Sequence, residues 1–108
     1  MTVVQRIGPV VDTTIGGAGP TPIGDVRWRQ RVRVRGHVRS MRVRPWAEGV
    51  STLEATLVDD TGGVTLVFLG RTKILGLSLG RELEAEGMVG ENRERLVIIN
   101  PVYQLINS

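Results

Sequence analysis

A chain of 108 residues, of which 41% are hydrophobic and 23% charged, has the size and composition of one folded domain, which excludes a wholly disordered chain. No segment is apolar for long enough to predict a transmembrane helix or a signal-peptide core, so we expect a cytoplasmic protein. The absence of cysteine excludes disulfides, thiolate metal sites and cysteine nucleophiles, and the single histidine cannot form a histidine metal site alone.

The positive charge is concentrated in one part of the chain. Fourteen Lys and Arg against eleven Asp and Glu leave a net charge of only +3. Eight of the fourteen basic residues lie between Arg27 and Arg44, and all eight are arginine. Such a local block attracts a polyanion even when the net charge is small.

Residues 1–24 are predicted to form a flexible N-terminal arm and linker, and residues 25–108 the folded domain. Residues 16–22 combine glycines with X-Pro pairs, which do not hold regular structure. The valine pairs on either side of Gly8-Pro9 leave an alternative open, in which the arm adds a short strand to its own sheet or to that of a neighbour.

The first predicted strand begins at Val26, where apolar residues alternate with cationic ones as far as Arg39. Gly36 lies inside this strand and permits a sharp bend or a bulge. The alternation then changes phase before Met41, and residues 45–49 are predicted to form a loop. A long, bent first strand is what a small closed barrel requires.

Four further strands are predicted after this loop. They cover residues 52–57, 64–69, 82–87 and 95–99, with a tight Asp-Gly turn at 59–63, a polar hairpin loop at 90–94 and an extension of the fifth strand at 102–106. Residues 71–78 are cut by Gly76 and predict two helical turns at most. The sequence therefore predicts an all-β fold, a five-stranded Greek-key barrel of the OB type with a short helical turn between strands three and four.

Several segments carry a resemblance to known OB-fold proteins. The segment from Val58 to Phe68, Gly80 before the fourth strand and Asn100-Pro101 after the fifth resemble the OB domains of the RecG wedge and of tRNA-synthetase anticodon-binding modules. Over about residues 21–105 the chain is similar to small stand-alone actinobacterial proteins with an OB-fold nucleic-acid-binding domain. The segments that carry this similarity are Thr21-Pro22-Ile23-Gly24-Asp25-Val26, Arg39-Ser40, Leu53-Glu54-Ala55, Leu69-Gly70-Arg71 and Asn100-Pro101-Val102-Tyr103. The resemblance implies binding of single-stranded nucleic acid across strands two and three, and it carries no reaction.

The arginines of the first strand have two interpretations. In an OB barrel this strand lies beside the second and the fourth, so its arginines can face the carboxylates of Glu54, Glu82, Glu84 and Glu86 across the sheet. Four glutamates cannot neutralise eight arginines, however. We therefore expect structural pairing over residues 27–35 and phosphate contact by Arg39, Arg42 and Arg44, since a guanidinium binds phosphate through two parallel hydrogen bonds.

Few aromatic rings are available for stacking on bases. Trp28 and Phe68 share the apolar phase of their strands, so we expect Phe68 inside and Trp28 in the core or packed at the end of the barrel. Trp46 in the predicted loop is the best stacking candidate, and the alternative is that it covers the end of the barrel. Thr52, Thr56, Thr65 and Val67 are expected on the outer face of strands two and three. Arg71, Lys73, Arg93 and Arg95 either extend the groove or stand in solvated loops.

The sequence contains no nucleophile with a base at a plausible spacing, and Asp59-Asp60 is interpreted as part of a turn, so we expect neither an enzyme nor a cofactor or metal site. We expect a domain that binds single-stranded DNA or RNA with low sequence specificity, through Arg39, Arg42, Arg44, Trp46, Thr52, Thr65, Val67, Arg71 and Arg93. The alternative is a protein-interaction or homo-oligomerisation module without direct nucleic-acid binding, in which the N-terminal arm adds a strand to a sheet edge.

Overall fold

The computed structural model describes residues 3–7 and 19–107, and within these the chain is all-β. The strands are β1 (Val3–Ile7), β2 (Arg31–Ala47), β3 (Val50–Val58), β4 (Gly63–Leu69), β5 (Glu82–Asn92), β6 (Arg95–Ile99) and β7 (Val102–Asn107). One 3-10 turn, Ile23–Asp25, lies before β2. None of the helical segments in the described residues has the length and apolarity needed to cross a membrane.

Five strands pair into a closed ring. The pairing follows the order β5, β2, β3, β4, β6 and returns from β6 to β5. Every pair in the ring is antiparallel except β4 with β6, which are parallel. Strand β7 pairs with β5, and β1 pairs with β7 at the end of the sheet. Alternate side chains of the five ring strands form one hydrophobic cluster, to which Tyr103 and Leu105 of β7 contribute.

Strand β2 is the long, bent strand that the sequence predicts, and it belongs to two parts of the ring. Residues 31–37 pair with β5 and residues 37–47 pair with β3, so His37 is paired on both sides at the corner. The neighbouring Gly36 lets β3 come close, because a Cβ atom there would lie 2.3 Å from the carbonyl oxygen of Val58. The close approach of two backbones explains the glycine inside the strand.

The change of phase along β2 comes from a bulge at Arg39 rather than at Gly36. The register passes from Val38 directly to Ser40, so that Arg39 is the extra residue. Val38 is therefore buried in the core while Met41, three residues later, also packs against it. The bulge turns the following arginines onto the outer face of β2.

Two hairpins are tighter than the sequence predicts. Strand β2 continues to Ala47, with a second register shift between Pro45 and Ala47, so only Glu48 and Gly49 remain as the turn before β3. Strand β5 continues to Asn92, so the predicted loop at 90–94 reduces to Arg93 and Glu94. These two residues have φ angles of 53° and 65°, as a type I′ turn requires. The sequence predicted the hairpin but not this two-residue turn, because Asn and Gly rather than Arg and Glu normally favour a type I′ turn.

The short helix predicted between strands three and four is wrong. Residues 71–81 form turns and irregular backbone, with hydrogen bonds from the amide of Leu77 to the carbonyl of Ile74 and from the amide of Arg81 to the carbonyl of Ser78, both at 3.1 Å. Gly76 has a φ of 83°, in the left-handed region, which a right-handed helix cannot contain. Ile74 and Leu77 are nevertheless buried in the core, so the segment fills the core without helical structure.

The C-terminal segment is a separate strand and not an extension of the fifth predicted strand. The chain changes direction at Asn100, whose φ is 49°, and at Pro101. Strand β7 then pairs antiparallel with β5, from the partners Leu83 and Leu105 to the partners Glu86 and Val102. Together with β1, it widens the sheet beyond the ring.

The predicted N-terminal arm is described only in part, because residues 8–18 lie outside the described residues. Val3–Ile7 pair antiparallel with β7, which is the alternative in which the arm adds a strand to its own sheet. Ile23 is 4% exposed and belongs to the core. The packed part of the chain therefore begins before residue 25.

Trp28 is not an inside residue, contrary to the sequence prediction. The chain turns before β2 begins, with a hydrogen bond from the amide of Gln30 to the carbonyl of Arg27 at 3.2 Å and a φ of 68° at Arg29. Trp28 is consequently 53% exposed, and the guanidinium of Arg29 lies 4.2 Å from its ring centroid. Phe68 is buried as predicted and packs edge-on against Tyr103.

The turn between β3 and β4 is organised by the side chain of Asp59, as the sequence predicts for a turn aspartate. Its Oδ1 atom accepts hydrogen bonds from the amide of Thr61 at 2.7 Å, the hydroxyl of Thr61 at 2.6 Å and the amide of Gly62 at 3.1 Å. Its Oδ2 atom accepts one from the amide of Ile23 at 2.9 Å, thirty-six residues away in the chain. Asp59 thus joins the segment before β2 to the β3–β4 hairpin.

These hydrogen bonds make stability depend on pH. Desolvation by itself would raise the pKa of Asp59, but the hydrogen bonds from Ile23, Thr61 and Gly62 outweigh it and hold the pKa below its ordinary value of 3.8. A carboxyl with a lowered folded pKa stabilises the protein above its unfolded pKa, and this contribution is lost as the pH falls through the folded pKa.

We expect Asp59→Asn, which has one acceptor oxygen instead of two, to lower the free energy of unfolding by about 1–2 kcal/mol at pH 7. The difference from the parent protein should shrink as the pH falls below about 4, which urea unfolding at pH 7, 4 and 2.5 measures. Asp60→Asn, at the exposed neighbouring carboxylate, is the matched control. A loss that is the same at all three pH values would contradict this role of the carboxylate.

Candidate functional site

A small cavity lies on the outer face of β3, between residues of two hairpins. Its volume is about 130 Å³, and its lining consists of Arg44, Pro45, Glu54, Asn92, Arg93 and Arg95. Arg44 and Pro45 belong to the end of β2 near the β2–β3 turn, and Glu54 belongs to β3. The other three residues belong to the β5–β6 hairpin. We call it the arginine cavity.

A larger, open groove adjoins the arginine cavity. It has a volume of about 730 Å³ and is lined by the β3–β4 turn and by side chains that include Arg39, Thr56, Thr65, Arg95 and Leu96. Arg95 lines both depressions, so they meet at this side chain. Together they follow the outer face of β3 and β4 from the hairpin turns to the Asp59 turn.

A buried carboxylate organises the floor of the arginine cavity. The Glu54 side chain is only 6% exposed, and its Oε1 atom lies 3.1 Å from Nη2 of Arg95 and 3.7 Å from Nε of Arg44. The other terminal nitrogen of Arg95, Nη1, donates a hydrogen bond to Oγ1 of Thr65 at 3.3 Å. One carboxylate therefore positions two guanidinium groups whose charges it only half neutralises.

Two further arginines on this side of the molecule have no carboxylate partner in the part of the chain that the structure describes. Arg42 lies opposite Glu54 in the β2–β3 register, and Arg39 is the bulged residue that lines the open groove. Both are exposed, and neither forms an ion pair with any residue that the structure describes. The acidic groups of the groove, Asp59 and Asp60, stand at its far end. The positive charge is thus concentrated around the arginine cavity.

The first half of β2 uses its arginines differently. Arg31 forms an ion pair with Glu86 at 2.9 Å, and Arg35 forms one with Glu82 at 3.2 Å. Both glutamates belong to β5, the strand that the sequence analysis placed opposite these arginines. Pairing across the sheet is therefore the structural role of this half.

Two predicted site residues are not available to a ligand. Thr52 and Val67 lie on the outer face but are 0% exposed, so they offer a ligand no contact and support the floor of the groove. Thr65 is also buried, but it lines the open groove beside its hydrogen bond with Arg95. The sequence could not show this, because alternation assigns a face to each side chain but not what covers that face.

Arg71 lies outside the two depressions, and the Trp46 prediction falls on a side chain outside the described part of the structure. Arg71 is exposed and lines neither depression. Its charge instead acts on Tyr103, whose pKa is raised by burial and lowered in part by this arginine. Trp46 lies in β2 rather than in a loop, at the second register shift, and its side chain is outside the described part of the structure.

Arg95 is more central than the sequence indicates. It was one of four basic residues that either extend the groove or stand in loops, yet it joins the cavity, the groove and Glu54. Alternation along β6, with Arg95 in the same phase as Val97, places it on the outer face. Its contact with Glu54, forty-one residues earlier in the chain, has no local signal.

Comparison with protein-family models finds no matching family, and comparison with curated proteins finds no match to this chain. Its function is therefore inferred from the site itself.

Proposed function

We propose that this protein is a non-enzymatic OB-fold domain that binds single-stranded DNA or RNA in the cytoplasm with low sequence specificity. The closed ring of five strands, long first strand included, supports the OB assignment, since that fold is a five-stranded Greek-key barrel. OB folds bind oligonucleotides on the face of their second and third strands, beside the loops that join strands one to two and four to five. Strands β3 and β4 and the two hairpins occupy the equivalent positions.

The observation that carries the proposal is the convergence of arginines on this face. Arg44, Arg93 and Arg95 line one cavity, and Arg39 continues the positive charge along the groove. Guanidinium groups bind phosphate oxygens through paired hydrogen bonds and remain charged at any physiological pH. A groove with this lining follows a phosphate backbone.

The low sequence specificity follows from the exposed side chains of β3 and β4. Sequence is read through contacts to base edges, whereas phosphate contacts carry no sequence information and aromatic stacking accepts any base. On β3 and β4 the outer side chains with exposed surface include Thr56 and Leu69 but no aromatic ring. The ligand contacts are therefore mainly electrostatic and tolerate any base.

We expect binding to weaken steeply with salt. About four phosphate contacts on a single strand, each with a slope near −0.7 in log K against log salt, predict roughly 50-fold weaker binding at 200 mM than at 50 mM salt. Fluorescence anisotropy of a labelled oligonucleotide measures this slope. Arg39→Ala should reduce the magnitude of this slope by about 0.7, the contribution of one phosphate contact. Arg71→Ala, outside the groove, should leave the slope unchanged. Binding without salt dependence would contradict the proposal.

A second candidate function rests on the sheet edge. Strand β1 ends the sheet, so one side of its backbone has no partner strand within the described residues, and such an edge can pair with another chain. In that case the protein is a protein-interaction or homo-oligomerisation module. Light scattering at several concentrations, beside the oligonucleotide titration, separates the two candidates. A stable oligomer that ignores oligonucleotide would favour the second.

A further inference from the structure

We propose that the arginine cavity binds the terminal phosphate monoester of a nucleic-acid strand, while the open groove binds the phosphodiester backbone that follows it. This inference rests on the proposed function and deepens it, because it assigns a particular chemical group to one part of the groove. Three features of the cavity carry it: its size, its charge and the way its arginines are held.

The size of the cavity selects a small group. A volume of about 130 Å³ is well below the roughly 300–1,000 Å³ of pockets that enclose a whole drug-sized ligand. A single phosphate group is small enough for this volume. The cavity is also flanked by hairpins on two sides and opens into the larger groove at Arg95. A strand lying in the groove can therefore reach the cavity with its end.

The charge of the cavity matches a monoester better than a diester. Its lining has three arginines and one glutamate, which leaves a net charge of +2. An internal phosphodiester carries a charge of about −1, whereas a phosphate monoester carries about −1.5 to −2 at pH 7 and presents three free oxygens. Three guanidinium groups can each address one of these oxygens.

Two of the three guanidinium groups are held in place before a ligand arrives. Glu54 fixes Arg95 at 3.1 Å and lies 3.7 Å from Arg44, so that these side chains do not have to be ordered on binding. Arg93 lines the cavity from the first position of the β5–β6 turn, where its backbone has a φ of 53°. This conformation is costly for a residue other than glycine, and such strain is typical of functional positions.

The test compares three oligonucleotides of one sequence, bearing a 5′-phosphate, a 3′-phosphate or hydroxyls at both ends. We expect one of the two phosphorylated strands to bind about tenfold more tightly than the hydroxyl strand at pH 7.5, and the difference between them identifies the end that is bound. The preference should diminish at pH 5, because the monoester dianion takes up one proton with a pKa near 6 and then carries a charge of only about −1.

For the variants, the measured quantity is the affinity for the phosphorylated strand divided by the affinity for the hydroxyl strand. A loss of charge that weakens the binding of both strands equally does not change this ratio. Arg93→Ala should bring the ratio of phosphorylated to hydroxyl strand close to one, whereas Arg71→Ala should retain it. Equal affinity of all three strands for the parent protein would overturn this inference and leave the proposed function intact. A preference that survives Arg93→Ala would also overturn it. Binding of none of the strands would overturn both proposals.

Discussion

Gly36→Ala is expected to lower the free energy of unfolding by about 3 kcal/mol, at the upper end of what overpacking costs. The added Cβ would lie 2.3 Å from the carbonyl oxygen and 2.9 Å from the carbonyl carbon of Val58. Both are backbone atoms of β3, so no side chain can rotate away to relieve the contact. Strands β2 and β3 would have to separate at the corner where β2 exchanges one partner strand for the other.

Urea unfolding followed by circular dichroism measures this loss. Gly90→Ala is the matched control, because that glycine also lies inside a strand but a Cβ there would meet only the Val97 side chain at 3.8 Å. The control variant should be as stable as the parent protein or slightly more so. A Gly36→Ala variant within 0.5 kcal/mol of the parent, a margin usual for surface changes, would show that the two strands do not approach as closely as described.

Arg95→Ala is expected to weaken binding of single-stranded oligonucleotide by about tenfold or more and to lower the free energy of unfolding by about 2 kcal/mol. The affinity falls because Arg95 lines both the arginine cavity and the open groove. The stability falls because the Glu54 carboxylate, 6% exposed, loses its nearer partner. Removal of one partner from a buried ion pair costs about 3–5 kcal/mol, and the partial exposure of Arg95 reduces that figure.

A second substitution separates the two effects. Glu54→Gln combined with Arg95→Ala removes the buried charge, which would otherwise keep only the more distant Arg44 as a partner, and should recover most of the stability, while the affinity remains low. Thermal unfolding and fluorescence anisotropy on the same samples provide both values, with Arg71→Ala as the control for loss of a single exposed charge. Parent-like affinity of Arg95→Ala would contradict the assignment of the groove as the binding site.

The bulge at Arg39 divides the arginines of β2 between two roles. Before it, Arg31 and Arg35 are paired with glutamates of β5 and contribute to the sheet. After it, Arg42 and Arg44 lie on the face that carries Glu54 and the arginine cavity. One extra residue in a strand is sufficient for this division, because a shift by one position moves every following side chain to the other face.

Much of the secondary structure follows from the sequence alone. Alternating apolar and polar residues predict strands at β3, β4, β5 and β6 and the inside position of Phe68, and Asp59 with its glycines predicts the turn between β3 and β4. These features depend on residues close together in the chain, so a local pattern is sufficient to find them. The same alternation predicted that arginines of β2 face glutamates of β5, as Arg31 and Arg35 do.

Only the tertiary structure decided which surfaces are covered and which charges meet. The exposure of Trp28, the burial of Thr52 and Val67 and the pairing of β7 with β5 depend on segments far apart in the sequence. The contact of Arg95 with Glu54 is of the same kind. A strand's periodicity determines which side chains share a face, whereas closure of the ring determines what lies against that face. For this reason the sequence indicated a cationic protein, and the fold alone located the cavity in which its arginines converge.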